Sequence, residues 1–177
     1  MAKGVDFESL VACHYQSLYQ FAFSLTRDEA DACDLTQQTF SIWAAKGHQL
    51  RDESKVKTWL FTTLHREFLG ARRKQVRFPH VELDQAAAEL PVVSPAPLNQ
   101  LDTEQLLSTL ARLDEIYRAP VALFYLQDHS YLEIAEILEV PIGTVKSRLA
   151  RGLDRLHQLL TGGTAPHPSS TLPEPDL

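Results

Sequence analysis

At the start of the chain the apolar residues Phe7, Leu10, Val11, Leu18, Phe21 and Leu25 recur at steps of three, four and seven, which puts them on one face of a helix. Arg27 and Asp28 interrupt the pattern. A second helix is expected from about Asp28, where acids crowd a first turn and suit the helix dipole, through EADACDLTQQTFSIWAAK to a stop at Gly47. After the polar stretch GHQLRDESKV, the segment KTWLFTTLHREFLGARRK carries Trp59, Leu60, Thr63, Leu64 and Phe68 as a helical stripe, with its basic residues gathered at the C-terminal end. Trp59 reads as a core residue of that stripe.

The second half repeats this logic with shorter segments: LDTEQLLSTLARL, YRAPVALFYLQ, YLEIAEILEV and GTVKSRLARGLDRLHQLL. In the third of these Tyr131, Ile134, Ala135 and Leu138 occupy i, i+3, i+4 and i+7. In the fourth Val145, Leu149, Leu153, Leu156 and Leu160 form the inward stripe. A short helix, a tight turn at Glu139, Val140 and Pro141, and a helix opened by proline make a helix-turn-helix. With Val145 and Leu149 committed to the core, Lys146, Ser147 and Arg148 point outward beside Ile142, Gly143 and Thr144, and Arg151 follows one turn on. Lys, Ser and Arg at such positions read base edges or hold phosphates, and Gly143 lets the backbone approach closely. No strand alternation competes anywhere, so the expected fold is all-α: two small helical domains joined by a flexible linker.

The composition is ordinary for a globular chain of 177 residues, with 44% hydrophobic and 23% charged residues. Net charge is -6, yet the charge is laid out unevenly. Arg66, Arg72, Arg73, Lys74 and Arg77 stand against Glu67 alone, while Phe78 to Glu104 holds five acids and no Lys or Arg. The three prolines of ELPVVSPAPLNQ mark that stretch as a linker, and TGGTAPHPSSTLPEPDL as a disordered tail. The resulting division is 1–77, a linker over 78–100, 101–160, and a tail over 161–177. Cys13 and Cys33 fit neither a disulfide framework nor a zinc spacing. His14, His65, His129 and His157 show no catalytic partner by sequence and read as structural or surface groups. No apolar run is long enough to span a membrane, and MAKGVDFESL lacks the apolar core of a signal peptide, so the expected location is the cytoplasm. A catalytic role finds no phosphate loop, nucleophile motif or metal-spaced cluster, so no catalytic, metal or cofactor site is expected. A stand-alone helix-turn-helix regulator would leave the N-terminal half without a task.

SYLEIAEILEVPIGTVKSRLARGLDRL resembles region 4 of bacterial extracytoplasmic-function sigma factors, and DACDLTQQTFSIW with KTWLFTTLHREFLGARRK resembles their region 2. The resemblance implies a dissociable subunit that binds core RNA polymerase and gives it promoter specificity. Region 2 would bind the polymerase clamp and open the -10 element, and region 4 would bind the -35 element. An anti-sigma factor is a further implied partner. Matched position by position, the family's polymerase-binding signature falls on Asp34, Leu35, Gln37, Gln38 and Phe40, with Gln38 in place of the usual Glu. The loop that captures a flipped -10 base corresponds to Gly47 to Lys57, where His48, Gln49, Arg51 and Asp52 offer stacking and hydrogen-bonding groups. Arg72, Arg73, Lys74 and Arg77 suit the phosphates of the same element. At Arg66 many family members carry an Asn.

Overall fold

Asp6 and Asp28 each place a carboxylate over the first turn of a helix, accepting from the backbone N–H of Ser9 (3.1 Å) and of Asp31 (2.9 Å). The structure, a computed structural model describing residues 6–77 and 98–161, accordingly begins with α1 (Phe7–Thr26) and α2 (Glu29–Lys46). Two short 3₁₀ turns, Gly47–Gln49 and Glu53–Lys55, lead into α3 (Val56–Arg77). Then come α4 (Leu98–Leu110), α5 (Glu115–Tyr125), α6 (Tyr131–Leu138) and α7 (Ile142–Thr161), and no strand occurs among the described residues. Nearly all of the expected linker (78–97) and the tail beyond 161 lie outside the described residues.

Most of the expected stripe residues become the core, whereas Phe7 in the first turn of α1 and Leu160 in the last turn of α7 stay exposed. Leu18, Phe21, Leu60, Phe61 and Leu64 are fully buried between α1 and α3, each such side chain contributing about 1.5–3 kcal/mol by leaving water. Trp59 packs edge-on against Trp43 at 5.0 Å, as a stripe residue should. Beneath that pair sits Gly47, where a Cβ would fall 2.6 Å from the Trp43 ring. In the second lobe Gly152 does the same for α5 and α7, since a Cβ there would lie 2.6 Å from a Val121 methyl. Ser130 and Glu133 cap α6 reciprocally, and Glu139 ends it in the left-handed region at φ 56°.

One expectation needs correction. The first helix of the second lobe runs Leu98–Leu110 rather than from Leu101 to Leu113. The N–H groups of Arg112 and Leu113 bond back to Thr109 and Leu110 at 3.0 Å, tightening the chain so that Asp114 can open α5. The two lobes expected from the sequence pack against one another. The Arg118 guanidinium, buried on α5, donates to the Leu113 carbonyl (2.9 Å) and across the seam to Leu25 (3.2 Å), a terminal carbonyl of α1. In return Arg27, just past α1, donates at 3.4 Å to Ala111, just past α4. Neither α1 nor α4 has a basic residue in its own last turn. Each lobe thus supplies the cation that the other's helix end lacks. The seam also encloses His129, set edge-on to Phe61 at 4.8 Å.

Candidate nucleic-acid interface

On α7 the burial of Val145 and Leu149 turns the intervening row outward. Gly143, Lys146, Ser147 and Arg151 are exposed, Ile142 keeps 37% of its surface in solvent, and Thr144 and Arg148 are half-buried. Pro141 accepts at its carbonyl from the N–H groups of Thr144 (2.9 Å) and Val145 (3.2 Å), so the helix starts immediately after the turn and offers its first two turns to solvent. A Cβ on Gly143 would meet nothing within 4 Å, which means that packing alone does not require glycine there. Ser147 donates its hydroxyl proton to the Thr144 carbonyl at 3.1 Å, leaving its lone pairs free to accept.

The loop between α2 and α3 presents His48, Gln49 and Arg51 to solvent. Asp52 is exposed as well, but one of its carboxylate oxygens holds the Ser54 N–H (3.0 Å) and hydroxyl (2.6 Å), and these bonds keep its carboxyl below the usual range. Asp52 shapes the loop before it can touch a base. At the end of α3, Arg73, Lys74 and Arg77 are exposed, whereas Arg72 is paired with Glu115 on α5. On α2, Asp34, Gln37 and Gln38 are exposed and Leu35 is half-buried. Phe40 is inside, stacked on Tyr15 at 6.3 Å and edge-on to Phe7 at 6.5 Å. It positions the helix and presents no surface. Asp34, Leu35 and Gln38 line a cleft of about 470 Å³ whose far wall is Glu115 and Arg118 of the second lobe.

Three cations reach across to the second lobe, of which Lys55 and Lys57 carry no signal in the sequence. Lys55 pairs with Glu136 at 3.3 Å, Lys57 donates to the Gln127 carbonyl at 2.8 Å, and the Arg66 guanidinium grips Glu139, with Nε at 3.2 Å. That hydrogen bond lowers the Glu139 pKa and raises that of Arg66. All three partners belong to the second lobe. No period or motif marks Lys55 and Lys57, because their role appears only when the lobes meet. Beside them, desolvation pushes His65 down to about 4, a shift that the Arg148 charge reinforces and Glu139 opposes. Among the described residues no cluster of His, Cys, Asp and Glu could hold a metal ion, and no helix is long and apolar enough to cross a membrane.

The geometry defines a two-lobed helical DNA-binding protein, with a helix-turn-helix in one lobe and a basic helix end in the other. Family models concur: "Sigma-70 region 2" matches residues 10–78 and "Sigma-70, region 4" matches residues 103–156. The chain is 28% identical to the ECF RNA polymerase sigma factor SigM of Bacillus subtilis over 88% of its length and 96% of that protein's. It is 31% identical to EcfG of Rhodopseudomonas palustris, over 81% and 79% of the two chains. Among solved structures it is similar to the sigma factor RpoE of Bartonella quintana in complex with the anti-sigma factor NepR, with TM-score 0.73, 33% identity and coverage of 88% and 97%. It is also similar to CnrH in complex with the cytosolic domain of CnrY, with TM-score 0.63, 25% identity and 89% of each chain covered. The chain belongs to the extracytoplasmic-function sigma factors of the sigma-70 family. It binds core RNA polymerase and directs promoter-specific initiation, with the -10 and -35 recognition general to that family.

Proposed function

We propose that the lobe within residues 1–77 docks on polymerase through Asp34, Leu35, Gln37 and Gln38 and handles the -10 element, while the lobe within 101–160 reads the -35 element. The carrying observation is the outward row on α7: Ile142, Gly143, Lys146 and Ser147 stand clear of the core, with Arg148 and Arg151 alongside. A helix with this exposure fits the major groove, its N-terminal half against base edges and its arginines against phosphate. In the -10 lobe, His48, Gln49 and Arg51 face a flipped base, Asp52 holds their loop in shape, and Arg73, Lys74 and Arg77 face the strand. Arg72 joins them once its pair with Glu115 is broken. Phe40 contributes by fixing the angle of α2.

One of the neighbouring structures is a complex with an anti-sigma factor, which supports an anti-sigma protein as a further partner of this chain, acting with it in the cytoplasm. The cleft between Asp34 and Glu115 lies where one partner can touch both lobes.

The test is transcription by core polymerase plus this protein on genomic fragments, with start sites mapped. Lys146→Ala or Arg148→Ala should weaken use of the -35 element by about 1–3 kcal/mol where the side chain meets a base in bidentate fashion. A phosphate contact would instead weaken all sequences alike. Unchanged promoter use by both folded variants would remove this face as the reader.

A further inference from the structure

Two imidazoles that the reading of DNA does not use lie where the lobes meet. His129, in the turn ahead of α6, keeps 2% of its surface in solvent, and both of its ring nitrogens lack a hydrogen-bond partner. Buried polar groups are nearly always paired, so an orphaned imidazole needs a reason. Part of its cover comes from the other lobe, since Phe61 of α3 stands edge-on to the ring at 4.8 Å. His65, half-buried on α3, faces Glu139, Arg148 and Glu115, all of the second lobe.

A proton on His129 finds little to hold it in this arrangement. From α3 the Lys57 ammonium opposes it, and the half-buried His14 of α1 faces that same ammonium, which together with desolvation holds His14 below the usual imidazole range. Glu133 of α6 lies 3.7 Å from Nδ1, but the oxygen concerned already accepts from the Ser130 N–H (2.8 Å) and hydroxyl (3.0 Å) in the cap of α6. Asp128 faces the ring from an exposed position, where water and salt screen it. We infer that His129 is an acid sensor of the lobe contact, with His65 as its companion: a proton on either ring is accommodated only once the lobes part, so acid separates them while each stays folded. The inference goes beyond the sigma-factor reading and does not depend on which DNA element either lobe meets.

Linkage gives the direction and the size. Desolvation pushes His129 down to about 4, with Lys57 adding to the shift, and it pushes His65 down to about 4 as well. Parted lobes return either ring to water, where an imidazole titrates near about 6.5. The joined form therefore binds fewer protons, so the contact is complete above about pH 6.5 and weakens as the pH falls toward about 4. A ring with these two values shifts the ratio of parted to joined molecules by about tenfold between about pH 7.5 and about pH 5.5. Carboxylates titrate near about 4, below that window, so the ion pairs across the seam do not carry the effect.

The experiment uses the full chain with one dye on α2 and one on α7, read molecule by molecule at about pH 7.5 and about pH 5.5 and at fixed ionic strength, with circular dichroism in parallel. In the wild type the ratio of parted to joined molecules is expected to rise by about tenfold or more while helical content holds. His129→Phe keeps an apolar ring against Phe61 and cannot titrate, so most of the rise should disappear. His157→Gln replaces an exposed histidine of α7 and should respond as the wild type does. A measurement that needs no variant is the titration of the wild-type imidazole resonances, in which His129 and His65 should lie well below the exposed histidines. The proposal is overturned if the wild-type distances are the same at both pH values, if the lobes part only as the helices melt, if folded His129→Phe responds as the wild type does, if His157→Gln removes the response, or if His129 titrates with the exposed histidines.

Discussion

Gly143 and Gly152 sit nine residues apart on α7 and answer to different partners. The Gly152→Ala methyl would lie 2.6 Å from Val121 and 3.2 Å from the Tyr117 Cβ, so overpacking should cost about 1–3 kcal/mol, read as a lower denaturation midpoint. The Gly143→Ala methyl enters open space. Stability should hold or rise by up to about 1 kcal/mol, while -35 use falls, as the DNA contact proposed for that face of α7 requires. Reduced stability of Gly143→Ala would contradict this. His129 carries a second residue-scale expectation. It is buried with both ring nitrogens lacking hydrogen-bond partners, Glu133 3.7 Å from Nδ1, and Lys57 and Asp128 nearby. Desolvation, reinforced by Lys57, lowers its pKa to about 4. The folded state therefore binds fewer protons than the unfolded chain, whose histidine titrates near 6.5. Stability should be full above pH 6.5 and fall toward pH 4 by on the order of 1 kcal/mol per unit from this residue, with His65 adding to the slope. His129→Phe should flatten the curve in denaturant titrations across that range, and an unchanged slope would exclude His129 as its source.

At the scale of elements, the helices were legible because their stripes are: Phe21, Leu60 and Leu64, or Ile134, Val145 and Leu149, repeat at helical spacing and are the residues found buried. The outward row on α7 was legible for the complementary reason. Capping across the seam was not. No stripe or motif marks Arg118, and its swap with Arg27 joins residues far apart in sequence. Phe40 shows the same limit from the other side, since a signature position can serve the core of its own helix. Arg118→Met removes the donor from two carbonyls at the seam and should cost about 1.5–3 kcal/mol for each charged bond that mattered. Chemical denaturation would check it, with a loss near zero showing that water caps both ends equally well.

At the scale of the whole molecule, the closed arrangement joins fold to function. A seam built from swapped helix caps, a histidine against Phe61 and exposed ion pairs from α6 to Lys55 and Arg66 holds the two lobes together. The most direct test is the distance between dyes on α2 and α7, measured in the free protein and again in the complex with core polymerase and promoter. A short distance in the free chain that grows by several tens of Å in the complex is the expected result. An equal distance in both would contradict the account.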